Sequence, residues 1–503
     1  MFKLRASKSS RTQGWLFVLV ATGFLGVLLV LLGSWQSRLI PADDPLAGFG
    51  HFLLISARGQ ALLAYSTLVG ISLIMLSWLI LWRFREVVPW RAVVLLWGVP
   101  LVFALPTMSF DLFNYVEQGW AVLHGHNPYI TPMGQAGGFV DFAGPWAGKT
   151  VGYPPLALMI QAFLVWVAGA SPFWSLMTMK LMGIAGLVCA YFGFKISGEQ
   201  KSSAVIKWAV FANPAILVHA LNDGHNDALA GGLAVLGVAL AARLTRVRGV
   251  VAGAALVGLA GAIKQPVLVF LFAVAVLSMR QVSPRLWFAL SFGRRWIRLI
   301  VPGIISGVVG GACFLLPGWI TGWNLGWTTA TGLSGYGRST PLRYYYEAVT
   351  QNLHQFFGTS LPRSIPDAYP QTATIIMVIL GVGVLVFLGT KHPVEAIIIA
   401  LAAYFLLGRS VQSWYAVWFL FALVFVRMNR RIALVLVGFS AWMLAPMWVR
   451  PWGPNVHWYS QFTWSLAVAA VAMVIFWLLS KESMSSKKPV DGQDLEIADR
   501  PLA

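Results

Sequence analysis

Charged side chains are scarce in this chain, and their scarcity excludes a water-soluble globular protein. Only 11% of the 503 residues are charged and 58% are hydrophobic, whereas a typical soluble domain is about 25% charged. Two cysteines are too few for a disulfide framework or a cysteine-based metal site. The chain also lacks a glycine-rich loop that could hold the phosphates of a nucleotide. The composition therefore predicts a polytopic membrane protein.

Acidic residues are fewer than half as common as basic ones, 17 against 36, which gives a net charge of +19. The basic residues stand in short clusters between apolar runs, as expected for loops that stay in the cytoplasm. The charge therefore does not indicate nucleic-acid binding. It predicts a multi-pass plasma-membrane protein with cytoplasmic N- and C-termini. An internal repeat of the kind that marks secondary transporters is also missing.

Apolar runs of spanning or near-spanning length occur along the whole chain, several of them shorter than the roughly 20 residues of a full span. We expect an all-α membrane domain over residues 1–480 with about 13–15 transmembrane helices. Loop charges place two long loops, 107–153 and 319–371, outside, and residues 481–503 form a disordered cytoplasmic tail. These loop positions disagree by one membrane crossing between residues 153 and 207. Either one of the three apolar runs there does not cross the membrane, or one loop has been assigned to the wrong side.

Asp111 stands where the first long apolar stretch opens into an outer polar loop. Apolar residues three and four apart follow it and predict an amphipathic helix that lies at the outer interface. The turn Asn127-Pro128-Tyr129 ends this helix. An acid at the start of a helix can cap it, or it can take a proton from an incoming hydroxyl. The residues alone leave both roles open.

The stretch His219–Asp227 is densely polar although it lies between two apolar runs, and it holds two of the eight histidines. It can be a turn with an N-cap for a helix that begins near residue 228. It can bind a substrate through sugar hydroxyls or phosphate. Asp223, His225 and Asp227 also alternate in a way that allows, weakly, a divalent metal site.

Isolated cations and aromatic residues form the remaining candidates on the predicted outer face. Lys264 stands at a hairpin tip, where it can snorkel to water or hold a lipid phosphate. Arginines bind phosphate through two parallel hydrogen bonds, and aromatic faces stack on sugar rings. The same residues are equally typical of an interfacial belt. The candidates of this kind are Arg338, Arg343, Arg409, Trp414 and Tyr415.

Taken in order, these motifs resemble the polytopic GT-C glycosyltransferases. They are most similar to bacterial, chiefly actinobacterial, polyprenol-phosphate-mannose-dependent α-1,6-mannosyltransferases, over most of residues 90–430. In one departure, Pro154 stands where that family usually has glycine. The matching stretches are Asp111-Leu-Phe-Asn-Tyr115, Gln118-Gly119, Gly125-His-Asn127-Pro128-Tyr129, Gly152-Tyr153-Pro154-Pro155-Leu156, Asn213-Pro214, Gly224-His225-Asn226-Asp227, Lys264-Gln-Pro266 and Trp414-Tyr415.

The resemblance implies a GT-C architecture and an inverting transfer of a hexose, with mannose favoured, from a polyprenyl-phosphate donor to a glycan or glycolipid acceptor outside the membrane. Asp111 would be the general base, in one cavity with Gly224–Asp227. No cofactor is required, and a divalent metal stays open. The leaving phosphate would be stabilised by Lys264, Arg338, Arg343 and Arg409. The remaining substrate-binding residues would be Tyr115, Gln118, Asn127, Tyr129, Tyr153, His225, Asn226, Asp227, Trp414 and Tyr415.

Two other functions compete with this interpretation. A flippase or transporter of lipid-linked sugars would explain intramembrane polar groups without chemistry, although the missing repeat and the polar bias toward one face argue against it. A non-catalytic assembly subunit would tolerate replacement of Asp111.

Overall fold

The structure, a computed structural model, covers most of the chain and leaves three predicted cations, Arg338, Arg343 and Arg409, outside the described residues. Their roles remain predictions. The described residues, with a few single positions between 346 and 358, are 10–37, 39–198, 203–280, 284–331, 369–408, 412–444 and 458–485.

Every regular element in these segments is helical, which confirms the predicted all-α class. The helices of the N-terminal half are α1 (Ser10–Gly33), α2 (Ala47–Ile55), α3 (Ala57–Leu81), α4 (Trp90–Phe103), α5 (Asp111–Leu123), α6 (Val140–Ala143), α7 (Pro155–Val167), α8 (Pro172–Met179), α9 (Leu181–Ser197), α10 (Ser203–Ile206), α11 (Pro214–Leu217) and α12 (Asn226–Arg243). Those of the C-terminal half are α13 (Arg246–Gly261), α14 (Phe270–Arg280), α15 (Pro284–Ala289), α16 (Phe292–Thr321), α17 (Tyr369–Phe387), α18 (Pro393–Leu407), α19 (Val417–Ala422), α20 (Arg430–Met443) and α21 (Trp458–Ser485).

Within the described residues, five helical segments are long and apolar enough to cross a membrane, and a sixth is counted if the pair on either side of residues 212–213, bent by 44°, is one span. Eight shorter apolar helices accompany them. The polytopic membrane fold is therefore confirmed, while the number of crossings stays a prediction. The five long segments are Gln13–Gln36, Ala57–Phe84, Pro172–Ser197, Asn226–Arg243 and Phe292–Thr321.

Helices α9 and α12 touch through their backbones at the centre of the bundle. A Cβ atom added to Gly186 would lie 2.1 Å from the carbonyl oxygen of Ala228, and one added to Gly232 would lie 2.1 Å from that of Gly186. Small residues allow such close approach, and in a membrane, where apolar burial drives no association, this packing holds helices together. The contact fixes the start of α12, which carries part of the candidate site.

Hydrogen bonds gather the loops that were predicted to be outside at one end of the bundle. The hydroxyl of Ser34 accepts from the backbone N–H of Leu105 at 3.1 Å. Thr150 and Thr331 bind each other through both backbone and side chain, with N–H to hydroxyl distances of 3.0 and 2.9 Å. The 34–59, 107–153 and 319–371 loops therefore share one end, as far as they are described.

Helix α7 begins and ends at this same end. It starts beside Tyr153 in the 107–153 loop, and the segment after it is held by Asp43 of the 34–59 loop, whose carboxylate accepts from the backbone N–H of Phe173 at 2.9 Å. A crossing helix would carry its two ends to opposite faces. We therefore predict that the run 154–170 is the one that does not cross, an assignment under which the predicted inside and outside loops alternate.

Helix α5 forms as predicted, and both of its sides are covered by other parts of the protein. Nine of its thirteen residues are buried. Its outer side is covered by the loop that follows, where Phe142 contacts Phe113 with ring centroids 5.1 Å apart. Its other side lies against α7, so closely that a Cβ added to Gly119 would be 2.6 Å from the Gln161 carbonyl oxygen. The amphipathic pattern of α5 did not predict that the following loop would also bury its polar side.

The predicted tail also begins differently. Helix α21 continues to Ser485, past the expected end of the membrane domain at residue 480. Residues 486–503 lie outside the described part of the chain.

Candidate active site

Polar segments that are remote in sequence meet at the end of the bundle that carries the predicted outer loops. Oδ2 of Asp111 at the start of α5 lies 3.7 Å from Nδ1 of His225, just before α12. Trp414 stacks on the His225 ring with centroids 4.2 Å apart. The expectation that Gly224–Asp227 lies beside Asp111 agrees with these contacts, although the two segments are over 100 positions apart.

Asp111 is the first residue of α5 but does not cap it. The N-cap is Phe110, and no side chain makes a capping hydrogen bond there. The Asp111 side chain is 14% exposed. Burial raises its pKa to about 7, the charge of Lys264 works against that rise, and the carboxylate of Asp227 adds to it. A carboxyl group with this pKa can exchange a proton near neutral pH, as a general base must.

Lys264 is neither a snorkelling anchor nor the isolated cation that the sequence predicted. It is 6% exposed, and its ammonium lies 3.4 Å from Oδ2 of Asp227. It also lies over the rings of Tyr153 and Tyr415, 4.7 and 4.5 Å from their centroids. Burial lowers the pKa of Lys264, but Asp227 and other neighbouring acids outweigh it, and the net pKa is raised. The site therefore contains a fixed positive charge that already has a partner.

Tyrosines connect this cation to the start of α12. The hydroxyl of Tyr115 donates to Oδ1 of Asn226 at 3.2 Å and lies 3.3 Å from that of Tyr153. The Tyr129 hydroxyl donates to the Tyr153 carbonyl oxygen at 2.8 Å. Burial raises the pKa of Tyr115 and of Tyr153, so both phenols stay protonated and can donate hydrogen bonds at neutral pH.

Two predicted residues have local contacts instead. Oδ1 of Asn127 accepts from the backbone N–H of Tyr129 at 3.0 Å and so forms the predicted turn after α5. Nε2 of Gln118 points at the sulfur of Met133 at 3.4 Å. Nine predicted residues do come together: Asp111, Tyr115, Tyr153, His225, Asn226, Asp227, Lys264, Trp414 and Tyr415.

The 219–227 segment makes the predicted turn without the predicted cap. A π-helical turn spans Val218–Asn222, and Gly224 has φ +58°. That conformation suits glycine, and a Cβ there would be 2.6 Å from Leu112. Helix α12 begins at Asn226, and its N-cap residue, His225, makes no side-chain capping bond. The His225 side chain is thereby left to face Asp111.

The sequence interpretation did not predict the contacts that Asp223, Asn222 and Lys180 make with the chain just before Asp111. Oδ1 of Asp223 accepts from the backbone N–H groups of Thr107 and Met108 at 2.9 and 3.0 Å. Nδ2 of Asn222 donates to the Leu105 carbonyl oxygen at 2.9 Å, and buried Lys180 donates to carbonyl groups at the end of α4. The available signals were a lone lysine inside an apolar run and the polar density of 219–227.

A family model described as "Alpha-(1->6)-mannopyranosyltransferase, N-terminal domain" matches residues 20–280, just over half of the chain. The chain belongs to this family. The match covers the parts of the site between Asp111 and Lys264, while Trp414 and Tyr415 lie beyond it.

Relatives of this mannopyranosyltransferase family align over different lengths. "Alpha-(1->6)-mannopyranosyltransferase A" of Mycobacterium tuberculosis is 26% identical over 46% of this chain and 46% of its own length. The protein of the same name in Corynebacterium glutamicum is 29% identical over 33% of this chain and 34% of its own. A "Probable alpha-(1->6)-mannopyranosyltransferase" of Mycolicibacterium smegmatis is 24% identical over 79% of this chain and 76% of its own. The chain thus spans less than half the length of the first two relatives. No solved structure matches it.

Proposed function

We propose that the protein is a membrane mannosyltransferase that moves mannose from a polyprenyl-phosphate donor to a hydroxyl of a glycan or glycolipid acceptor at the outer face. The family supports mannosyl transfer. The observation that carries the proposal is the placement of the largely buried Asp111 carboxyl group against His225, in one site with the paired ammonium of Lys264. A base and a cation in one partly dry site suit an inverting displacement at a sugar carbon.

In this reaction Asp111 accepts the proton of the acceptor hydroxyl while that oxygen attacks C1 of the mannose. The bond between C1 and the phosphate oxygen breaks with inversion, so a β-linked donor gives an α-mannoside. The electron pair of that bond leaves with the polyprenyl phosphate, and the proton stays on Asp111 until water removes it. Each catalytic cycle therefore ends by deprotonating Asp111.

Lys264 stabilises the charge that develops on the leaving phosphate, in company with Asp227. Because the ammonium is 3.4 Å from that carboxylate, the phosphate shares the cation instead of binding it alone. His225 is kept neutral, since burial, His219 and Lys264 lower its pKa well below the ordinary value. It therefore positions Asp111 and substrate hydroxyls and does not supply a proton. The rings of Tyr153 and Tyr415 lie against the ammonium of Lys264 and so help to position it.

The test is transfer by purified full-length protein, with radiolabelled polyprenyl-phosphate mannose and short α-1,6-mannosides. Labelled product of greater length is expected, with an α-1,6 linkage by methylation analysis. GDP-mannose in place of the lipid donor should give none. Donor that crosses the bilayer of proteoliposomes without any glycoside product would instead establish a transporter.

Asp111→Asn should reduce transfer by about 10²–10⁴-fold, which is the usual contribution of a general base. Asp141→Asn is the matched control, because it removes an exposed acid from the same loop. The proposal for Asp111 fails if both variants transfer mannose at similar rates.

A further inference from the structure

A second polar group lies next to the candidate active site and shares His225 with it; its other members, His219 and Asp223, have no part in the proposed reaction. His219, Asp223 and His225 are all fully buried, and one ligand atom of each lies within 4.8 Å of the others. Nδ1 of His219 is 3.6 Å from Oδ2 of Asp223. These three side chains are called the His–Asp–His cluster below.

The cluster contains five polar atoms that no hydrogen bond satisfies within the described residues. They are both ring nitrogens of His219, both ring nitrogens of His225, and Oδ2 of Asp223. Buried polar atoms are nearly always hydrogen-bonded, so five orphans in one place call for a ligand. One shared proton between His219 and Asp223 would satisfy only two of them.

We propose that the His–Asp–His cluster binds a divalent transition-metal ion, with Zn²⁺ the best match. Two imidazole nitrogens and one carboxylate oxygen are typical zinc ligands, and such three-residue sets leave a fourth position open. Magnesium and calcium prefer oxygen ligands only. Bond lengths of about 2.0–2.2 Å place neighbouring ligand atoms about 3.5 Å apart. The observed 3.6 Å pair already has that spacing, and a ring nitrogen of His225 lies within 4.8 Å of both ligand atoms.

The surroundings hold each ligand in place, as they do at metal sites, where outer contacts orient the ligands. Two backbone N–H groups, those of Thr107 and Met108, hold Oδ1 of Asp223 and leave Oδ2 for the cation. Trp414 stacks flat on the His225 ring, with 12° between the planes. The π-helical turn over Val218–Asn222 carries His219 and ends directly before Asp223.

The proposed metal ligands differ from those that the sequence suggested. Alternation suggested Asp223, His225 and Asp227, but Asp227 is paired with Lys264. His219 takes its place, one helical turn before Asp223. His225 contacts both the cluster and Asp111, so a bound cation would fix the ring against which the Asp111 carboxylate lies. The inference goes beyond the proposed transfer reaction and does not depend on it, because metal binding is measurable in an inactive protein.

The experiment measures metal content in full-length protein without a histidine tag. The purified protein is stripped with a chelator, loaded with Zn²⁺ and dialysed, and the bound metal is counted by plasma mass spectrometry. About one zinc ion per chain is expected. Loading with Co²⁺ should give the visible absorption bands of a cobalt ion bound by nitrogen and oxygen ligands, and this result needs no variant.

His219→Gln and Asp223→Asn should each weaken Zn²⁺ binding at least tenfold, since even changes to outer contacts have effects of 10–100-fold. His51→Gln is the control, because it removes an exposed histidine from α2. An adventitious ion only would be the conclusion if all three variants retain as much zinc as the unchanged protein. Wild-type protein that holds almost no zinc after loading, and shows no cobalt bands, would also overturn the proposal.

Discussion

The chemistry of the site depends on a few charges whose balance can be tested one residue at a time. Asp111 must lose its proton to act as a base, and its pKa of about 7 places that event near neutral pH. We therefore expect kcat/KM to be level above pH 7 and to fall about tenfold per pH unit below it. The measurement is the pH profile of mannosyl transfer at low donor concentration.

Glu117 is the natural control for this profile. Burial raises its pKa to about 7 as well, yet it lies two turns along α5 and is not among the residues gathered around His225. Glu117→Gln should leave the acidic limb of the profile in place. If the fall of kcat/KM below pH 7 disappears in Glu117→Gln, Glu117 is the group that titrates, and the pH profile no longer supports Asp111 as the base.

The Lys264–Asp227 pair makes a second prediction at this scale. Lys264→Gln or Asp227→Asn alone leaves a buried charge without its partner, which costs about 3–5 kcal/mol. The double variant removes both charges, so it should be more stable than either single variant. Thermal unfolding in detergent measures this, and losses that simply add would mean that the two side chains do not stabilise each other.

Among the elements, α5 and α7 show best what the sequence could and could not predict. The period of apolar residues predicted α5 and its start at Asp111, while the helix ends at Leu123, before the turn at Asn127-Pro128-Tyr129 that was expected to end it. Burial of α5 depends on Phe142 and α7, which contact it from other parts of the chain. The 13-residue α7 looked like a short span, because apolar content does not distinguish a crossing helix from one buried under a loop.

Sequence reasoning about the site had the same limit. Asp111, His225 and Lys264 were found because charges inside an apolar chain are rare. The ion pair between Lys264 and Asp227 was not predicted. Asp227 had been assigned to the substrate and Lys264 to a phosphate. Lys180 and Asn222 act on the backbone of residues 101–105, and no periodicity in the sequence encodes such long-range contacts.

The close approach of α9 and α12 predicts a position that tolerates no side chain. Gly232→Ala should force the helices apart, because the new Cβ would meet the Gly186 carbonyl oxygen at 2.1 Å. We expect a loss of about 1–3 kcal/mol from this overpacking. Gly311→Ala in α16 is the matched control, since nothing lies within 4 Å of its added Cβ. Equal unfolding temperatures for the two variants would contradict the packing.

For the whole molecule, the testable statement is which loops share a side. In a background without Cys189 and Cys313, Gly148→Cys and Ala170→Cys should react with an impermeant maleimide in intact cells, because both ends of α7 are predicted to lie outside. Glu86→Cys should react only after lysis, since the 82–89 loop is at the opposite end. Protection of Ala170→Cys together with labelling of Gly148→Cys would mean that α7 crosses after all.

The stacking of Trp414 on His225 also has a consequence for biogenesis. The ribosome delivers the tryptophan long after α12 has emerged, and from a part of the chain beyond the family match. During synthesis the N-terminal half therefore inserts before the residue that stacks on His225 has been made. We expect transfer activity to appear only after the last helices have packed against the rest. A shortened chain that ends near residue 280 should therefore insert into the membrane but be inactive.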